Sequence, residues 1–146
     1  MDTYVCKRCG FVAFKQPPDN CPVCHAPKQD FQLDPNVIKK PADPKNLTEL
    51  EKKHIPAIDV KRQCGLVGPG CIDANIKIGE ILHPMEAKHY IMYIDLYLDY
   101  DFIGRYHLTP EKLNPAVGIH LKATGGKLVA LDNCNLHGRW VAEAEV

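Results

Sequence analysis

Seven cysteines and seven histidines stand in a chain of 146 residues, and their spacing is what could do chemistry. Cys6-Lys7-Arg8-Cys9-Gly10 and Cys21-Pro22-Val23-Cys24 are two CxxC knuckles separated by eleven residues. A two-residue gap brings both sulfurs of a knuckle to one side and turns the intervening amides toward them, so four thiolates can converge on one tetrahedral ion. Spacing alone does not separate zinc from iron. A unit of about 35 residues has too little core to stand without such a staple. His25 adjoins Cys24, but with four sulfurs available it is expected at the surface.

A second set of ligand types is spread out: His54 in EKKHIP, His83 and His89 in HPMEAKH, and Cys134 and His137 in CNLHG. Each piece alone is a weak signal. Together they can surround one ion with four nitrogens and one sulfur, which leaves an octahedral ion one open position.

These residues need elements to position them. After residue 25, Pro35, Pro41 and Pro44 punctuate a polar stretch without periodicity that reads as a linker. From about residue 49, short β-prone runs follow at 55–61, 75–82, 89–99, 102–108, 116–123 and 127–132. Six or seven strands at this spacing predict a mainly β fold, a β-sandwich. In the third run Tyr90, Met92, Ile94, Leu96 and Leu98 share one face, which predicts a strand with one dry side. Helix is a minor component, confined to NLTELEKKH with Asn46 or Thr48 as cap. The expected division is 1–36 for the four-cysteine unit, 37–48 for the linker and 49–146 for the sandwich.

Hydrophobic residues make up 45% and charged residues 25%, and eighteen basic side chains balance eighteen acidic ones. That balance argues against a nucleic-acid or anionic-membrane partner, and no apolar run approaches the roughly 20 residues that span a bilayer. The opening MDTYVCKRCG has no secretory pattern, so a cytoplasmic location is expected. There thiols stay reduced, and clustered cysteines hold metals more often than disulfides.

The segments YVCKRCGFVAF and CPVCHAPKQDF resemble the rubredoxin-like module of rubrerythrins, which implies iron at Cys6, Cys9, Cys21 and Cys24, with zinc as the alternative. EKKHIP, HPMEAKHY and CNLHGRW resemble, in order, the three signature segments of desulfoferrodoxin and the one-iron superoxide reductases, also called neelaredoxins. The resemblance covers nearly all of residues 49–146. It implies an immunoglobulin-like sandwich of about seven strands. It also implies a non-haem iron held by His54, His83, His89 and His137, with Cys134 as axial thiolate and the sixth position open to substrate.

The implied activity is superoxide reductase: one-electron reduction of superoxide to hydrogen peroxide, with rubredoxin or a similar donor restoring the iron. Neutral imidazoles favour the ferrous ion, while the thiolate donates electron density and eases electron transfer. Lys53 matches the family lysine that attracts the anion. Glu51 corresponds to a glutamate able to occupy the sixth position, although Glu51-Lys52-Lys53-His54 carries one more residue between Glu and His than the usual segment. A non-enzymatic electron carrier is the competing reading. A homo-oligomer, dimer or tetramer, is expected, with no reason to route dimerisation through the small module, whose second cysteine pair is separated where typical desulfoferrodoxin has adjacent cysteines. Cys64 and Cys71, flanking GLVGPG, have no family role and are expected as reduced thiols. His107 and His120 are expected to be structural, and Trp140 to pack against the carboxyl-terminal strand.

Overall fold

The structure, a computed structural model, describes residues 1–123 and 125–146. Three short strands, β1 (Thr3–Cys6), β2 (Val12–Phe14) and β3 (Phe31–Leu33), form the amino-terminal sheet in the order β2-β1-β3. One helix follows, α1 (Glu49–His54), then β4 (Pro56–Lys61), β5 (Ile72–Ile78), β6 (Ile91–Leu98), β7 (Asp101–His107), β8 (Ala116–Leu121), β9 (Lys127–Cys134) and β10 (Gly138–Glu145). Strands β10-β9-β6-β7 form one antiparallel sheet and β4-β5-β8 the other. The fold is therefore the expected β-sandwich of seven strands, preceded by a small cysteine-knuckle unit.

Alternation builds the core between the sheets. Along β5, Ile72, Ala74, Ile76 and Ile78 are buried while the residues between them are not, and they meet Ile94, Leu96, Leu128 and Ala130 from the opposite sheet. The sequence placed this strand at 75–82, and the structure starts and ends it earlier. Gly79 and Glu80 turn the chain, so Ile81 and Leu82, apolar by type, are exposed. Gly79 is required there: a Cβ would lie 2.5 Å from the Lys52 carbonyl oxygen and 2.7 Å from that of Ile55, so only a bare backbone lets α1 pack against this turn.

Strand β6 was expected to have one dry face and has two. Ile94 and Leu96 face the inter-sheet core, whereas Tyr93 and Tyr97 point to the outer side, where the amino-terminal unit covers them. Phe11 stacks on Tyr97 and meets Phe102 edge-on, and the Tyr97 hydroxyl donates to the Val12 carbonyl at 2.7 Å. Asp95, on the same face, is buried in a two-pronged pair with Arg105, at 2.5 and 2.7 Å.

The proline-rich stretch is irregular, as composition predicts, yet it is docked. Val37 and Ile38 pack on the apolar cluster shared by the module and the sandwich's outer face, and the Lys39 amide donates to the Arg139 carbonyl at 2.8 Å. Among the described residues no helix is long and apolar enough to cross a membrane.

Candidate metal centre

Four imidazoles converge at one end of the sandwich. The ring contacts run His54–His83 at 4.6 Å, His83–His89 at 4.5 Å, His89–His137 at 5.1 Å and His137–His54 at 5.0 Å. The pair His54–His89 lies farther apart, at 6.2 Å, with the two rings inclined by only 32°. Four short sides and a longer diagonal describe a ring of four side chains around a common centre. Cys134 lies against this ring, its Sγ 3.8 Å from His137 Nδ1, and one ligand atom each from His54, His89, Cys134 and His137 falls within 4.8 Å of the others.

Each histidine is held by its own backbone surroundings. His54 ends α1, and its Nδ1 lies 2.7 Å from the Leu50 carbonyl; His83 Nδ1 lies 2.7 Å from that of Pro84. A carbonyl only accepts, so both Nδ1 atoms carry the proton and both Nε2 atoms present a lone pair. Those two Nε2 atoms face each other at 3.2 Å. Burial, and secondarily the neighbouring imidazoles, hold His54 below its ordinary pKa and His83 down to about 4, so neither gains a second proton at neutral pH. Buried His89 Nε2 has no hydrogen-bond partner. Opposed lone pairs and an orphaned nitrogen are the signature of a cation site, and nitrogen with soft sulfur suits a transition metal such as iron.

Cys134 ends β9 at a tight turn into β10. Burial raises its pKa, while the amides of Leu136 and His137 pull the other way. Both amides favour the anion a metal requires.

Asn135, which sequence reasoning passed over, ties the CNLH turn to the segment bearing His89. It accepts from the Tyr90 amide at 3.0 Å and donates to the Lys88 carbonyl at 3.0 Å, bracketing His89 on both sides. Trp140 lies on β10 itself and not merely against it. Its ring is 5.4 Å from His54 and its indole N–H donates to the His137 carbonyl at 3.1 Å. Lys39, from the docked linker, has its Nζ 5.9 Å from the Trp140 ring centre. The signal for Asn135 lay in its place between two ligand-type residues; nothing in the sequence pointed to Lys39.

Lys53 and Glu51 sit on α1 with different surroundings. Lys53 is partly exposed and pairs with Glu49 one turn earlier at 3.2 Å, and its charge helps hold His89 below its ordinary pKa, after burial and His137. Glu51 is buried, and its carboxylate accepts from the Thr48 amide at 2.8 Å while the Thr48 hydroxyl accepts from the Glu51 amide. This capping box fixes the start of the helix that carries His54.

The four amino-terminal cysteines also converge, with Cys6–Cys24 at 3.6 Å and Cys9–Cys21 at 3.5 Å. A tetrahedron of sulfurs about 2.3 Å from its centre has edges of about 3.8 Å, so the set fits one ion. The two knuckles are copies of each other. Gly10 N bonds Cys6 O as His25 N bonds Cys21 O, and Cys6 N bonds Phe11 O as Cys21 N bonds Ala26 O. His25 thus fills the left-handed position that Gly10 fills in the first knuckle, with φ of 65° against 78°, and it is exposed as expected. Burial raises Cys9 and Cys21, while the Ala26 amide draws Cys24 down.

Comparison with known proteins agrees with both halves. The rubrerythrin rubredoxin-like domain matches residues 4–32, and the desulfoferrodoxin family matches residues 46–143. A putative superoxide reductase of Methanocaldococcus jannaschii is 36% identical over 104 residues, covering 68% of this chain and 86% of that protein. A desulfoferrodoxin of Desulfarculus baarsii is 36% identical over 95 residues, 64% of each chain. The reduced superoxide reductase (neelaredoxin) of Archaeoglobus fulgidus superposes with a TM-score of 0.58 at 28% identity, over 75% of this chain and 98% of the other. By the family match across its sandwich, the chain belongs to the desulfoferrodoxin family, and it carries a rubredoxin-like module ahead of that domain.

Proposed function

We propose that the chain is a superoxide reductase whose iron is held by His54, His83, His89 and His137 with Cys134 as the thiolate ligand, and that a second metal, iron or zinc, sits among Cys6, Cys9, Cys21 and Cys24. The observation that carries this reading is the pair of Nε2 lone pairs facing at 3.2 Å, within a ring of four imidazoles and beside one sulfur. Iron bound in such a set would supply the one electron that, with two protons, turns superoxide into hydrogen peroxide. Superoxide is the substrate and a separate donor returns the electron, for which a rubredoxin-class protein is the reading tested first.

The protein's own residues do the remaining work. The Leu50 and Pro84 carbonyls fix the tautomers of His54 and His83. Lys53 places a cation at the partly exposed rim and draws in the anion. The Glu51 carboxylate is engaged in the Thr48 capping box, and its part here is to position α1. Residues 1–36, 37–48 and 49–146 are read as module, docked linker and reaction domain. Dimer or tetramer formation belongs to the same reading, and light scattering that returns a monomer would overturn that part.

Rapid mixing of the reduced protein with superoxide tests the activity. One hydrogen peroxide per superoxide consumed, with appearance of the thiolate-to-iron charge-transfer band, is the expected result. Intact redox cycling without peroxide would make it an electron carrier instead. Lys53→Ala is expected to slow the second-order reaction about 10-fold at low salt, less at high salt, with iron content unchanged.

A further inference from the structure

A third cluster of ligand types lies outside both centres. Asp73 on β5 and His120 on β8 are directly paired across the sheet. Cys71, two residues before Asp73, shares its face of the strand, and Cys64 comes down from the loop joining β4 to β5. One ligand atom from each of Cys64, Cys71, Asp73 and His120 falls within 4.8 Å of the other three. His120 Nδ1 lies 3.3 Å from Cys64 Sγ, 3.6 Å from Cys71 Sγ and 2.8 Å from Asp73 Oδ1, and Cys71 Sγ lies 3.6 Å from that oxygen.

The Cys71 thiol donates to Asp73 Oδ1, and the contacts of His120 Nδ1 with both sulfurs and that oxygen put four ligand atoms around one centre that a single cation can occupy. For sulfur about 2.3 Å and nitrogen about 2.0 Å from a tetrahedral ion, sulfur–nitrogen edges are about 3.5 Å, and both observed separations lie close to that. We propose that Cys64, Cys71, Asp73 and His120 form a third metal site, for zinc or a similar borderline divalent ion, which closes the loop inserted between β4 and β5.

Two thiolates, one imidazole and one carboxylate make a tetrahedral set of the zinc type. Four protein ligands leave no open position, so the site is a staple and not a second reaction centre. Cys71 is buried, while Asp73 and His120 are partly exposed, which gives an ion a way in. The Cys64 thiol is drawn below its ordinary pKa: Asp73 opposes this, but the Val67 amide and Cys71 outweigh it, and burial pushes Cys71 up to about 12. Binding of an ion would displace the proton of each thiol. Strand β4 separates this cluster from His54 by roughly 17–20 Å, so the two sites are independent.

The test uses the full chain, purified under reductant with its iron loaded, and zinc as the probe. Metal analysis should find one more zinc per chain in the parent than in C64S/C71S, with iron and peroxide production equal in the two; zinc in the amino-terminal four-cysteine unit cancels in the difference. H120A, at a half-exposed position, should bind that zinc at least 10-fold more weakly. Cobalt in its place should give tetrahedral d–d absorption that H120A removes. Equal zinc in the parent and C64S/C71S, or extra zinc unaffected by H120A, would overturn the site. So would a Cys64–Cys71 disulfide persisting under reductant. Loss of peroxide production by the parent would count against the proposed activity and leave the zinc difference readable.

Discussion

The two iron-type centres are built by opposite strategies. The cysteines of the module come from nineteen consecutive residues, Cys6 to Cys24, and two copies of one turn aim all four sulfurs. The histidine centre draws on four segments between His54 and His137, and no two of its local structures are alike: a helix end, a turn after β5, the stretch before β6 and the β9–β10 turn. The first is set by two short turns and the sulfurs they carry; the second takes its shape from a sandwich with an apolar core of its own. A local site is therefore lost or kept whole, whereas a dispersed one can be degraded ligand by ligand and brace by brace.

The largest expected break in that contrast is Cys134→Ser. It should abolish the thiolate-to-iron band and cut peroxide production by more than about 100-fold, beyond the usual cost of losing a supporting partner, while the metal of the amino-terminal module and the sandwich's thermal transition persist. Loss of both metals together would show that the centres are not separable.

Asn135→Ala comes next, because it removes both bonds that bracket His89. Iron affinity should fall about 10-fold, measured by competition with a chelator, with little change in the four-cysteine unit. The last test concerns the metal-free protein and pH. His83, 2% exposed, titrates near 4 when folded against 6.5 in an open chain, so between those values the unfolded state binds the extra proton. Stability should therefore fall as pH drops from about 6.5 toward 4, by up to about 3 kcal/mol for this residue. Denaturant midpoints of the apo protein at pH 7 and 4.5 would measure it, and an unchanged midpoint would show that His83 is not buried as a neutral imidazole.

What the sequence made legible follows the same division. The knuckles could be read because their geometry is a matter of a few backbone turns, and the strands because alternation is local. Boundaries slipped where an apolar type did not mean burial, as with Ile81 and Leu82 beyond Gly79. The histidine segments could be collected by type and by resemblance, but which side chains brace them depends on pairings between distant strands. Asn135 and Trp140 look like ordinary turn and strand residues until β9, β10 and the His89 segment come together. His120 was passed over for the same reason: its partnership with Asp73 is a matter of register between β5 and β8, which no spacing within either strand reveals.

The aromatic contact between Phe11 and Tyr97 bears on whether the two halves can be studied apart. Removing residues 1–36 would not release a finished sandwich. It would leave Tyr93, Tyr97 and Phe102 facing water beside the docked Val37 and Ile38, an apolar surface of the kind that recruits other molecules. A relative that lacks such a module must either carry different residues on that outer face or cover it with another copy of itself, so this one face of β6 and β7 records whether a desulfoferrodoxin-type sandwich was built to live with a companion or alone.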